Sequence, residues 1–464
     1  MEKANLDEGY SHSLGNRQVQ MIAIGGAIGV GLFLGSGGRF AAAGPALVIS
    51  YAIAGIAAFF VMRALGELVS YRPTSGSFVS YATEFVGPWA GFASGWMYWV
   101  NWAATGVAEL TAIAIYVHLW APSFPRWATA LIALGVVLVV NLLSVKAFGE
   151  MEFWFALLKV AAIVTFLIVG LYLVLFSVEG ASPSNLVAHD GFFPMGFGPV
   201  FMSLQAVVFA YAAIELVGIA AGETKDPEKV LPKAVNSVIW RIAIFYVGSI
   251  LLLGMVLPWT SYQAGESPFV TVFTTLGAPW AGDVMNLIVI TAALSSCNSG
   301  LYSTGRILRS MGQRGEAPRF TANLSSRQVP VGGIMLTASV YVIGVAVYSY
   351  IPERAFTIAV AISSLGTVTT WGTLIYCQMK LRRAWMRGQL PKPAFLMPGT
   401  PYTNWLTLAF LALVVVLMPF ADEDQRLAFY LIPILAGGIW GGWRMVNARR
   451  EPATHVQQRV VPPQ

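Results

Sequence analysis

Ile24-Gly25-Gly26-Ala27-Ile28-Gly29-Val30-Gly31 lies inside an apolar segment covering about residues 21–33. Each glycine in a helix interior costs about 1 kcal/mol relative to alanine. Gly25, Gly26, Gly29 and Gly31 together therefore make a poor uninterrupted helix. In lipid, backbone N–H and C=O groups are not left unpaired, so a broken helix is tolerated only where protein, water or a bound ligand satisfies them. Two uses account for these glycines: a ligand held on the backbone of a broken membrane helix, or close helix packing across small residues. The spacing does not choose between them.

Working outward, the composition sets the class. Of 464 residues, 56% are hydrophobic and 11% charged, where a soluble domain carries roughly 25% charged residues. A membrane helix needs about 20 mainly apolar residues. Twelve segments qualify, at about 17–38, 46–69, 89–118, 127–145, 153–176, 198–221, 238–258, 283–304, 331–350, 356–378, 403–420 and 427–445. The expected fold is an all-α membrane protein with twelve transmembrane helices.

The net charge of +6 invites a nucleic-acid partner until the basic residues are sorted by loop. With the N-terminus cytoplasmic, Arg39, Arg126, Arg354 and Arg426 are the only ones of the 28 Lys and Arg on the opposite face, and Lys159 falls within a helix. This positive-inside bias places both termini in the cytoplasm and removes the need for a nucleic acid. Residues 1–16 are polar, so no cleaved leader is expected ahead of the first span. Cys297 and Cys377 fall in separate spans, and His12, His118, His189 and His455 form no ligand spacing. A metal site is not expected. The chain also offers no nucleophile–base pair, so an enzyme is not expected.

Several polar groups stand out against this background. Arg63 and Glu67, at i, i+4 near a cytoplasmic helix end, read as a snorkelling pair, and the turn-forming Tyr71-Arg-Pro-Thr-Ser-Gly-Ser77 as an elbow. In the third span Asn101, Thr105 and Glu109 share one helix face, and a carboxylate in the hydrocarbon region marks either a substrate or ion pathway or a structural anchor. Lys159 stands about two turns into the apolar fifth span. Burial disfavours a charged ammonium, so a lysine there can take up and release a proton, unless it snorkels to the cytoplasm. Ser203, Gln205, Tyr211 and Glu215 interrupt the sixth span, although nothing around Tyr211 marks a helix break. Leu294-Ser-Ser-Cys-Asn-Ser-Gly-Leu-Tyr-Ser-Thr-Gly305 places Ser295 and Ser296 in a row of polar groups that can bridge helices or line a wet cavity. Gly222-Glu-Thr-Lys-Asp-Pro227 reads as a cytoplasmic loop.

Taken together, Gly15-Asn-Arg-Gln-Val-Gln-Met-Ile-Ala-Ile-Gly-Gly-Ala-Ile-Gly29, Arg63-Ala-Leu-Gly-Glu67, Glu150-Met-Glu-Phe-Trp-Phe-Ala-Leu-Leu-Lys159, Glu215-Leu-Val-Gly218 and Asn298-Ser-Gly-Leu-Tyr302 resemble the amino-acid transporter branch of the amino acid–polyamine–organocation superfamily. The resemblance covers about residues 9–444. Val238-Ile-Trp-Arg-Ile242, Ser261-Tyr-Gln-Ala-Gly265, Ser267-Pro-Phe-Val270 and Thr304-Gly-Arg-Ile-Leu-Arg-Ser-Met311 are similar to members that carry L-asparagine. Carriers of glycine, D-alanine and D-serine are near neighbours.

The resemblance implies a LeuT-like fold of two inverted five-helix repeats (17–176 and 198–378) and two extra helices (403–445), between tails at 1–16 and 446–464. It implies a secondary transporter of the bacterial cytoplasmic membrane that imports L-asparagine with a proton by alternating access. Its partners would be the amino acid, protons and the lipid bilayer, and no cofactor would be required. The substrate carboxylate would meet N–H groups around Gly29, Val30 and Gly31. The ammonium would meet carbonyls near Ala27, Phe209, Ala210 and Ala212. Lys159 would stand where related folds bind sodium, near Ser295 or Ser296, with Glu109 and Glu215 shaping the site or relaying protons. A carboxamide side chain would find partners among Asn101, Thr105, Glu109, Ser203 and Gln205. Import of another small neutral amino acid, and a sensor that binds without transporting, are the alternatives.

Overall fold

The computed structural model describes residues 18, 21, 28–74, 76–220, 235–275, 279–351 and 354–456. Stretches 24–27 and 222–227, both singled out above, lie outside them. The chain folds into α1 (Val30–Phe33), α2 (Gly35–Ala43), α3 (Leu47–Tyr71), α4 (Ser77–Phe85), α5 (Pro88–Trp120), α6 (Arg126–Leu143), α7 (Val145–Leu175), α8 (Gly198–Met202), α9 (Leu204–Ala210), α10 (Leu216–Ala220), α11 (Val235–Val256), α12 (Pro268–Thr275), α13 (Pro279–Gln313), α14 (Val331–Tyr350), α15 (Ala355–Met386), α16 (Tyr402–Leu417) and α17 (Glu423–Val456). There is no strand among the described residues.

Nine helical stretches among the described residues are long and apolar enough to cross a membrane, against the twelve segments expected. Three local features account for the difference. The turn Gly44–Ala46 runs directly into α3, so Val30–Tyr71 counts as one stretch. The sixth expected span is cut at Ser203 and again at 211–215 into three short helices, α8 to α10. The twelfth forms the middle of α17, where Gly437, Gly438, Gly441 and Gly442 dilute its apolar character between Arg426 and Arg444.

α5 is the axis of the bundle, packed most extensively against α15 and α13. Its apolar window is 72% buried, whereas that of α16 is 28% buried. α5, α13 and α15 therefore form the interior, while α6, α7 and α16 present side chains outward. Close approach depends on Gly366 of α15, where a Cβ would lie 2.4 Å from that of Asn101. Tyr341 of α14 closes the other side of α5, donating its hydroxyl to the Trp102 carbonyl at 3.0 Å.

The expected Arg63–Glu67 pair does not form. Glu67 is fully buried and accepts from Arg382 Nε (2.7 Å) and Nη2 (2.5 Å), Gln378 Nε2 (2.9 Å) and the Met397 N–H (2.7 Å). Arg63 donates instead to Asn236 Oδ1 (2.6 Å) and the Leu396 carbonyl (2.7 Å), and lies over the Phe395 ring. A buried carboxylate needs several donors, and a guanidinium fork supplies two in one plane, which an i, i+4 contact does not match. Both side chains thereby fasten residues 395–397 to α3. Glu67→Ala strands the Arg382 charge and is expected to cost about 3–5 kcal/mol. The check is the melting temperature of the detergent-solubilised protein, and an unchanged value contradicts the role given to this pair.

Candidate functional site

Two helix breaks face each other in the interior. The chain enters α1 at Gly29 in extended conformation (φ −126°, ψ −166°), without a side-chain cap. Leu32 and Phe33 N–H groups reach back to the Gly29 carbonyl at 3.2 and 3.3 Å. The Val30 and Gly31 amides have no carbonyl partner among the described residues, as the first amides of a helix do not, and the Val30 amide faces Glu109. Opposite, α9 stops at Ala210, and turns replace helix through 211–215. Ala213 sits there at φ 70°, a left-handed conformation that costs a non-glycine residue roughly 1–2 kcal/mol. The alanine-rich sequence carries no sign of this break. The two breaks meet at Gly31, where a Cβ would lie 2.7 Å from Ala210 Cα and 2.9 Å from Phe209 Cδ1.

Between them is a cavity of about 20 Å³ whose lining includes Gly29, Gly31, Phe209, Ala210 and Ala212 from the two breaks. Asn101, Thr105 and Glu109 of α5 and Ser296 of α13 complete its polar wall. Such a volume holds about one water, so an amino acid enters only if the walls part. Gly31 and Phe209 also line a second cavity of about 270 Å³ that reaches Arg39 and Asp422, an ion pair at 3.4 Å. Phe209 thus stands between the inner cavity and the outer one.

The polar wall is organised from α15. Asn101 Oδ1 accepts from Ser363 (2.5 Å), whose hydroxyl also meets Thr105 Oγ1 at 2.7 Å. Ser203 and Gln205 do not line this cavity. Ser203 occupies the kink between α8 and α9, and Gln205 donates to the Ala361 carbonyl at 3.3 Å. Ala27 lies outside the described residues.

Behind Ser296, Lys159 Nζ donates to Ser295 Oγ at 2.9 Å, and that hydroxyl donates to Glu152 Oε1 at 2.5 Å. Lys159 and Glu152 are both 0% exposed, so the lysine does not snorkel. Glu152 escaped the sequence reading. Its i, i+7 spacing from Lys159, two turns along one helix face, is the signal that would have found it. Glu215 belongs to a different group, with Trp371 Nε1 3.5 Å from its Oε2. Glu109 Oε2, Glu152 Oε2 and Glu215 Oε1 are buried without a hydrogen-bond partner among the described residues. No cluster of three or more His, Cys, Asp or Glu suited to a metal ion occurs among the described residues.

The family model described as amino acid permease matches residues 18–455. An L-asparagine permease of Streptomyces coelicolor is 53% identical over 449 residues, 96% of this chain and 92% of the relative. One of Escherichia coli is 53% identical over 452 residues, 96% of this chain and 90% of the relative. L-asparagine permease 2 of Mycobacterium bovis is 51% identical over 455 residues, 97% of this chain and 93% of the relative. With matches over nearly its whole length and a bundle of membrane-spanning helices broken at two facing points, this chain belongs to the amino acid permease family.

Proposed function

We propose that the protein imports L-asparagine together with a proton across the bacterial cytoplasmic membrane by alternating access. The observation that carries this is the meeting of two helix breaks at a cavity whose polar wall adjoins a buried Lys159–Ser295–Glu152 chain. The Val30 and Gly31 amides suit a carboxylate at the positive end of a helix. Carbonyls at the end of α9, around Phe209, Ala210 and Ala212, suit an ammonium. These backbone groups recognise any α-amino acid. Selection of a carboxamide falls to side chains, of which Asn101, Thr105 and Glu109 line the cavity. The names of the relatives favour asparagine over other small neutral amino acids.

A proton is favoured over sodium because an ammonium group, hydrogen-bonded to Ser295, already occupies the interior between α7 and α13. The unpartnered oxygens of Glu109 and Glu152 are acceptors that a proton would satisfy. Glu215 remains a third acidic candidate, from its own buried place beside Trp371. In this reading the chain forms twelve spans: inverted repeats over 17–176 and 198–378, then extra helices over 403–445. Both termini are cytoplasmic, from the distribution of Lys and Arg.

The test is uptake into proteoliposomes with proton and sodium gradients imposed separately, using asparagine, glycine, D-alanine and D-serine. Asparagine is expected to accumulate under a proton gradient without sodium. A sodium requirement, or binding without accumulation, overturns the proposal. A hydrogen bond to a charged group is worth about 1.5–3 kcal/mol, so Glu109→Gln should lower asparagine uptake about tenfold or more and alter the substrate ranking. Unchanged uptake and ranking remove Glu109 from the site.

A further inference from the structure

A groove of about 1120 Å³ that shares no lining residue with the inner cavity lies between the N-terminal half of α5, the turn after α13 and the C-terminal half of α17. It exceeds the roughly 300–1,000 Å³ of sites that hold drug-sized ligands. Its walls are apolar, with Trp96, Ile434 and Ile439 lining a channel floored by Gly438. Arg314, Arg319 and Arg449 lie along the same groove. Beyond Ile439 the apolar surface continues into a second groove of about 310 Å³ against Leu365 and Val415.

The walls are tied together rather than loosely apposed. Phe92 and Trp443 rings lie 5.6 Å apart between α5 and α17. Trp96 Nε1 donates to the Glu316 carbonyl at 3.2 Å. Glu316 is the one carboxylate in the lining among the described residues, and Arg314 Nε neutralises it at 2.8 Å. Arg319 and Arg449 are exposed and make no ion pair among the described residues, so the groove carries surplus positive charge.

We infer that this groove is a binding site for an anionic phospholipid, with its headgroup on Arg319 and Arg449 and its acyl chains along Trp96, Gly438 and Ile439. A long apolar channel joined to a basic patch matches an amphiphile with an anionic head, and basic pockets between membrane helices select such lipids. A second copy of this chain fits less well. A two-fold interface places the same patch on both partners, which would set the arginines against themselves. The occupant spans α5, which carries Asn101, Thr105 and Glu109, and the turn closing α13, which carries Ser295 and Ser296. It therefore braces the two helices that form the polar wall of the inner cavity.

The experiment equilibrates the purified, delipidated protein with mixed vesicles of phosphatidylglycerol and phosphatidylcholine and counts retained lipids by native mass spectrometry. The parent should retain phosphatidylglycerol over phosphatidylcholine by on the order of tenfold. Arg319→Gln with Arg449→Gln should bring that ratio close to unity. Gly438→Leu should lower retention of both lipids and is expected to fold, because nothing lies within 4 Å of a Cβ placed there; an unchanged melting temperature checks this. Equal retention by the parent, or a preference that survives loss of both arginines, overturns the assignment. So does a parent that is dimeric in vesicles and becomes monomeric with Gly438→Leu, which would give the groove to a second copy.

Discussion

Lys159→Ala is expected to abolish the proposed proton-driven accumulation of substrate while leaving some binding. In the parent, the ammonium donates to Ser295, whose hydroxyl turns its own proton toward Glu152. Removing the amine leaves Ser295 without that donor and Glu152 without a buried countercharge. Breaking a buried pair from one side costs about 3–5 kcal/mol, because the remaining charge is left in the interior without its partner. The buried chain proposed to carry the proton then lacks its cationic member, and the proposed coupling is expected to be lost. Accumulation under a proton gradient should fall to background, while binding, followed by ligand-induced thermal stabilisation, remains measurable. Lys159→Ala with Glu152→Gln removes both charges and should recover much of the lost stability without recovering accumulation, which separates coupling from folding. Normal accumulation by Lys159→Ala with sodium absent would overturn the role of this lysine.

Gly31→Leu is expected to eliminate transport of every substrate. Its Cβ alone would stand 2.7 Å from Ala210 Cα and 2.9 Å from Phe209 Cδ1, and the first of these is backbone, so no rotamer change relieves it. Overpacking of this kind costs about 1–3 kcal/mol. Here it also pushes apart the two helix breaks whose backbone groups are proposed to hold the carboxylate and ammonium common to all α-amino acids. Uptake of asparagine, glycine and D-serine should therefore fall together, to background. Gly29→Leu is the milder companion, because its Cβ would meet the Glu109 carboxylate at 3.2 Å, and a side chain yields where backbone does not. A Gly31→Leu protein that transported normally, or that merely changed its preference, would remove the helix breaks from recognition of the amino-acid backbone.

Much of the candidate site was legible in the chain because the residues proposed to carry it are anomalies. Lys159 and Glu109 are charged groups in apolar helices, and lipid excludes such groups unless something compensates them. The three polar residues at 101, 105 and 109 follow helical spacing, so their common face was readable. Glu152 was missed because it lies nearer the start of its helix, where a carboxylate is unremarkable until the lysine two turns later is considered with it. The Arg63–Glu67 pair was misassigned for a related reason. An i, i+4 spacing reports only that two side chains can meet, whereas Arg382 and the Met397 amide come from more than three hundred residues away.

Residue-by-residue partition into lipid is a local property, and the sequence by itself determined what depends on it. This covers a multi-pass helical membrane protein, the basic bias of its loops, and a glycine-rich segment unsuited to an unbroken helix. The break at 211–215 was a matter for tertiary structure alone. Nothing in Phe209-Ala-Tyr-Ala-Ala-Ile-Glu215 disfavours helix locally. Ala213 is held at φ 70° by its surroundings, with Tyr211 anchored to the Tyr51 carbonyl at 2.9 Å and Gly31 pressed against Ala210. The same holds for the choice of partner for each buried charge, since pairing energy in the interior depends on which donors the fold brings within reach. No spacing along one helix records that.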